Sequence, residues 1–168
     1  KINLIKQKAK DIRISIIEML FKAKSGHSAG PLGMSDIFAT LYFSEMKHDP
    51  KNPFWELRDR LVLSNGHICP VLYATMAHAG YFDLEKLFTL RQFGSILQGH
   101  PHREFLPSLE TSSGPLGSGL SQAVGMAIAD KRDFKNNTTR YMYCLISDGE
   151  QDEGQTWEAA LLAPREKL

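Results

Sequence analysis

The stretch Y-M-Y-C-L-I-S-D-G-E-Q-D-E-G, from Tyr141 to Gly154, decides how this chain of 168 residues is read. Its first six residues are bulky and unbroken, as expected of a strand covered on both faces. The strand then stops at the turn Ser147-Asp148-Gly149. Asp148, Glu150, Asp152 and Glu153 place four acidic side chains within six positions, at the mouth of that strand. A helix follows from about Gln151 to Ala163, before Pro164. Working outward, Arg60-Leu61-Val62-Leu63 is a second, short strand, stopped by Ser64-Asn65-Gly66.

Helical patterns separate these strands. Ile5, Ala9, Ile12, Ile16, Met19 and Ala23 recur at three to four residues with Lys and Asp between them, an amphipathic helix that Ser25-Gly26 ends. Pro31-Leu32-Gly33 reads as a turn, after which Ser35 caps a second helix through about Met46. Residues 47–59 read as loop. Ile68 to Ala79 is helical and closes at Gly80, and Asp83 caps a short helix to about Leu90. From Gly94 to Gly119 the periodicity vanishes, and a loop of that length inside a compact domain is usually functional or disordered. Leu120 to Phe134 returns to helix, and Asn136-Asn137 turns the chain back. Strands alternating with helices predict an α/β class, with a parallel sheet flanked by helices on both faces.

Composition narrows the function. Apolar residues make up 42% of the chain, enough for a core, and 20 basic residues stand against 19 acidic ones. That balance gives no field for nucleic acid or an anionic membrane. No apolar stretch is long enough to span a bilayer. The opening K-I-N-L-I-K-Q-K-A-K-D lacks a signal-peptide layout, so a cytoplasmic location is expected. Cys69 and Cys144 form neither a disulfide framework nor a zinc motif.

In such folds ligands bind outside the C-terminal ends of the strands. Two turns therefore share one mouth, Ser64-Asn65-Gly66-His67 and Ser147-Asp148-Gly149-Glu150. Carboxylates there repel a bare phosphate but suit a hard divalent cation, and magnesium often bridges a carboxylate to a diphosphate. Asp148 is the metal-ligand candidate, and Gly149 would let backbone N–H groups approach phosphate oxygens. The competing reading is that the acidic run only caps the last helix. Three of the six histidines follow glycine directly, in Gly26-His27, Gly66-His67 and Gly99-His100. All three fall in loops or at helix starts, where imidazole can move a proton or bond a hydroxyl. His48, His78 and His102 lack that setting and read as surface or packing residues. The glycine-rich Ser113-Gly114-Pro115-Leu116-Gly117-Ser118-Gly119 opens a helix, but no strand precedes it, so a dinucleotide fingerprint does not fit. A loop lying against a cofactor fits it better, with an ordinary loop and cap as the alternative. No P-loop and no nucleophile elbow occurs.

Taken together these segments resemble transketolase. The match comprises Ser25-Gly26-His27 with Pro31-Leu32-Gly33, Leu63 to His67, Gln98-Gly99-His100-Pro101, Thr111 to Gly125, and Asp148-Gly149-Glu150 with Glu153-Gly154. Order and spacing agree over nearly the whole chain. The resemblance implies an N-terminal subunit carrying the diphosphate-binding domain of a thiamine-diphosphate enzyme, over residues 1–168 as one domain. It implies magnesium or calcium on Asp148, the cofactor's diphosphate near Gly149 and His67, and Gly114 and Leu116 along the thiamine. His27, His67 and His100 take the catalytic positions, with His27 and His100 facing the sugar. Glu153 matches a glutamate near the contact between subunits. The implied reaction moves a two-carbon ketol unit from a ketose phosphate to an aldose phosphate, as in the pentose phosphate pathway. The implied partners are sugar phosphates and a C-terminal, pyrimidine-binding subunit, in a homo- or hetero-oligomer.

Two departures stand out. Ser147 replaces the glycine usual before the family's Asp-Gly. Only 20 residues follow Asp148, so the family's second metal ligand, an asparagine, and the domain that activates the thiamine ring are not among them. The domain is therefore expected to be incomplete at its C-terminal end, with exposed apolar edges that favour association. Two alternatives follow: a non-catalytic cofactor-binding or interaction module, and a related thiamine enzyme such as deoxyxylulose-phosphate synthase or a 2-oxo-acid dehydrogenase component. His27 and the Gly-His-Pro at His100 favour sugars over oxo-acids.

Overall fold

The computed structural model describes residues 1–134 and 140–168. The expected turn at Asn136-Asn137 lies outside them. Five α-helices and two strands follow one another as α1 (Ile2–Ala23), α2 (Ala29–Thr40), β1 (Arg60–Leu63), α3 (Cys69–Ala79), α4 (Ser118–Asp133), β2 (Met142–Leu145) and α5 (Gly154–Arg165). β1 and β2 pair in parallel, Arg60 opposite Met142 and Leu63 opposite Leu145. The class is α/β, as the alternation predicts.

α1 buries Ala9, Ile12, Ile16 and Met19, the stripe its periodicity marks. Each large apolar side chain removed from water there contributes about 1.5–3 kcal/mol. Lys24 closes the helix in a left-handed conformation, its N–H donating to Leu20 O at 2.9 Å. α3 is buried from Cys69 to Ala77 on every side, as a helix enclosed by neighbours must be. α1 and α2 pack on it, and Leu61 and Leu63 of β1 join their cluster. α4 lies against both strands and against α5.

Several local expectations change. Pro31-Leu32-Gly33 is not a turn but the first part of α2. Proline lacks only an N–H that the opening of a helix leaves unbonded anyway. Ser35 caps nothing; it sits buried inside α2, its Oγ donating to Pro31 O at 3.0 Å. α2 gives way to a wider π-type turn at Leu41–Glu45. Leu84–Thr89 is a 3₁₀ helix, not an α-helix. The last helix begins only at Gly154, after a 3₁₀ turn at Gly149–Asp152, and runs past Pro164. β2 is half-buried along its length rather than covered on both faces, because β1 is its only partner among the described residues. No helix of the described residues is long and apolar enough to cross a membrane.

Charge holds the N-terminal ends of the strands together. The Asp59 carboxylate accepts the N–H groups of Lys47 at 2.8 Å and Tyr141 at 2.7 Å. Glu110 accepts from Arg58 and Arg60 at 2.9 Å. This end fixes the register and so sets what meets at the other.

Candidate active site

Parallel pairing brings Ser64 and Ser147 to the same end of the sheet. From there β1 enters a 3₁₀ turn, Gly66–Ile68, leading into α3, and β2 enters the turn leading to α5. The glycine-rich loop joins them at the start of α4. One side chain ties all three together, and the signal in the sequence that marks it is the capping-box spacing Ser147-x-x-Glu150. Glu150 is fully buried. Its Oε1 accepts the Ser64 hydroxyl and the Gly117 N–H, the latter at 2.8 Å. Its Oε2 accepts the Ser147 N–H at 2.7 Å and the Ser147 hydroxyl at 3.1 Å. Ser64 Oγ in turn accepts the Gly119 N–H at 3.0 Å.

Burial alone would push the Glu150 carboxyl up. Hydrogen bonds from Ser64, Gly117 and Ser147 outweigh it and hold the group below the ordinary carboxylate value. Two glycines make the approach possible. Gly117 takes a left-handed φ of 81° at the N-cap of α4, and a Cβ on Gly119 would stand 2.7 Å from Ser64 Cα. Ser147, the departure noted above, is thereby used: its hydroxyl is one of the donors that satisfy Glu150.

The acidic run thus divides. Glu150 turns inward, while Asp148, Asp152 and Glu153 stay exposed. Capping does not account for the exposed members. Neither Asp148 nor Glu153 makes a side-chain cap hydrogen bond, and the first turn of α5 carries no acid. Around Asp148 the surface is open. Beyond each glycine and its two chain neighbours, nothing lies within 4 Å of where a Cβ on Gly114 or Gly149 would stand, and Leu116 is exposed. Asn65 Oδ1 and Ser113 Oγ are buried without a hydrogen-bond partner. Such orphaned groups in a functional mouth suit a bound polar molecule.

The three glycine-preceded histidines converge. His27 and His67 meet edge to face, ring centroids 5.0 Å apart. His100 stands close enough to feel both. Its pKa is lowered first by burial, then by the charges of Arg91, His67 and His27. The other histidines lie elsewhere. His48 is held between Tyr42 O at 2.7 Å and the Tyr81 hydroxyl at 3.1 Å. His78 bonds Ser15 Oγ at 2.9 Å, and His102 packs on Phe105. Arg91 joins the cluster without any signal in the sequence, since neither periodicity nor a neighbouring glycine marks it.

An α/β unit with a glycine-rich loop, an acidic turn and a histidine cluster at one sheet end has the form of a cofactor-binding domain. The chain belongs to the transketolase family: residues 5–168 match the family's thiamine diphosphate binding domain. It is 44% identical over 164 residues to the 6-deoxy-6-sulfo-D-fructose transketolase subunit SqwG of Clostridium sp. (strain MSTE9), covering 98% of this chain and 58% of that protein. It is 43% identical to an apulose-4-phosphate transketolase subunit of Phocaeicola vulgatus, covering 93% of this chain and 54% of that protein. The chain thus spans little more than half the length of these relatives. Among solved structures, transketolase from Campylobacter jejuni superposes with a TM-score of 0.88 at 40% identity, covering 97% of this chain and 26% of that one.

Proposed function

We propose that residues 1–168 act as one diphosphate-binding domain of a thiamine-diphosphate-dependent transketolase. The enzyme transfers a two-carbon ketol unit between sugar phosphates, completed by a C-terminal partner that binds the pyrimidine. The observation that carries this reading is the meeting of His27, His67 and His100, with His67 in the turn that leaves β1. Two relatives named as transketolase subunits support a divided enzyme.

The residues present fit the cofactor. Asp148 is exposed, its neighbour Gly149 and the loop residue Gly114 both face open space, and Asn65 and Ser113 hold buried polar atoms free for a ligand. Asp148 would hold magnesium or calcium through its carboxylate. Among the described residues no cluster of three or more histidine, cysteine or acidic side chains could hold a metal. Other oxygens, those of the diphosphate included, would complete the shell. When bound, thiamine diphosphate supplies the thiazolium carbon that stabilises the transferred carbanion.

This chain's residues then bind and orient. The Gly149 backbone and His67 would hold the diphosphate, and Gly114 and Leu116 would hold the thiamine. His27 and His100 bond the sugar hydroxyls. The lowered pKa of His100 keeps its imidazole neutral near pH 7, able to accept a hydroxyl proton. An oligomer and a cytoplasmic site of action belong to the same reading.

The test is calorimetric titration of thiamine diphosphate with magnesium into this chain, beside Asp148→Ala. Saturable, metal-dependent binding that the variant loses is the expected result. No binding by either protein would refute the reading for this chain.

A further inference from the structure

Arg91 occupies an unusual position for so large a side chain. Its backbone is left-handed, with φ 62°, a conformation that a non-glycine residue keeps only where its surroundings over-determine it. Its N–H donates to Leu97 O at 2.9 Å, which closes the loop leading to Gln98-Gly99-His100. Its side chain then crosses to a different loop, where Nη1 donates to Ser25 Oγ at 2.5 Å. Between the two it lies over Gly99: a Cβ there would stand 3.1 Å from Arg91 Nε, and one on Gly26 4.0 Å from Arg91 Cζ. One residue therefore touches two Gly-His pairs that lie far apart in the chain.

We propose that Arg91 is a positioning residue that pins the His27 turn to the His100 loop and so fixes how the two histidines meet a sugar. The sugar-facing role rests on the transketolase reading, but the tie between the loops does not. Electrostatics agree with the geometry. After burial, the Arg91 charge is the largest influence lowering the His100 pKa, ahead of His67 and His27. The titratable groups behind this loop stay neutral. Cys69 Sγ donates to Gly99 O at 3.2 Å and the Tyr73 hydroxyl to Gln98 O at 2.9 Å. Burial pushes the thiol to about 12 and the phenol higher. Arg91 is therefore the permanent charge that acts on His100.

The experiment is NMR titration of the histidine rings in the 168-residue chain, with amide exchange at Gly26 and His27. Arg91→Gly removes the guanidinium while glycine accepts the left-handed backbone, so loss of folding does not obscure the result. Arg91→Lys keeps the charge without the planar fork. The His100 ring should titrate at higher pH in Arg91→Gly and close to wild type in Arg91→Lys. Amide exchange at His27 should quicken in both, and in Ser25→Ala. An unshifted His100 ring in a folded Arg91→Gly chain, or unchanged exchange at His27, overturns the proposal. In the enzyme completed by its partner, Arg91→Gly should raise the sugar KM and leave the thiamine diphosphate Kd unmoved. A change confined to the cofactor Kd would overturn the assignment as well. A wild-type chain that binds no cofactor sinks the transketolase reading alone, because the NMR arms need none.

Discussion

The two ends of the same pair of strands are built on opposite rules. At the N-terminal end, carboxylates are matched to donors: Asp59 to two backbone N–H groups, Glu110 to Arg58 and Arg60, and Asp130 to Arg140. At the C-terminal end only Glu150 is so treated. Asp148 is left exposed, Asn65 and Ser113 keep unpartnered polar atoms, and three histidines crowd together. One end commits its polar groups to holding the register, and the other withholds them. Matched groups stabilise a fold, whereas groups left open are available to a ligand.

Five substitutions or conditions can break that contrast. Glu110→Ala should have the largest effect, because it strands two guanidinium groups that are largely buried. A loss of about 3–5 kcal/mol in urea unfolding is expected. A loss under about 1 kcal/mol, the scale of an exposed ion pair, would mean that this end is not the structural one. Glu150→Gln comes next. Its amide nitrogen cannot accept from Ser147 or Gly117, so about 1–3 kcal/mol is lost, and thiamine diphosphate affinity falls with it as the glycine-rich loop loosens. If affinity holds while stability drops, Glu150 belongs functionally with the N-terminal end.

Gly119→Ala forces a methyl against Ser64 and should cost a similar or smaller amount, about 1–3 kcal/mol. Retained hydrogen-exchange protection at the position-119 amide would contradict that. Acid should loosen the C-terminal mouth first. The folded pKa of His100 is lowered, so its neutral form is favoured in the fold. The resulting stability is present above the ordinary imidazole value of about 6.5 and is lost as pH falls through the lower folded value. Amide exchange followed against pH should quicken around His100 before it quickens around Glu110, and the reverse order would undo the comparison. Asp148→Ala should change stability least, within about 0.5 kcal/mol, while abolishing metal-dependent cofactor binding. A clear stability loss would show that Asp148 has a structural partner after all.

Much of this is legible in the chain itself. Both strands end close to where Ser64-Asn65-Gly66 and Ser147-Asp148-Gly149 predict, because turn chemistry is local. The stripe Ala9, Ile12, Ile16 and Met19 is likewise a matter of spacing. Local rules fail where neighbours override them. Pro31 suggests a turn, though the opening of a helix tolerates it, and Leu84–Thr89 tightens into 3₁₀ geometry. The bulk of Tyr141 to Ile146 predicts cover on both faces, yet β2 is only half-buried, since bulk records what a strand can pack against and not what is there.

By itself the sequence determined the elements, the turns that end the strands, and the glycine-preceded histidines that mark a site, because each depends on residues a few positions apart. The tertiary structure alone decided what the inward-turned Glu150 meets, Ser64 and Gly117. The spacing of Ser147 and Glu150 is local, but Glu150 and Ser64 are 86 positions apart. Only the parallel register brings Ser64, Ser147 and Gly117 around one carboxylate. Once those donors are assembled, their hydrogen bonds to both carboxylate oxygens offset the cost of burying the charge.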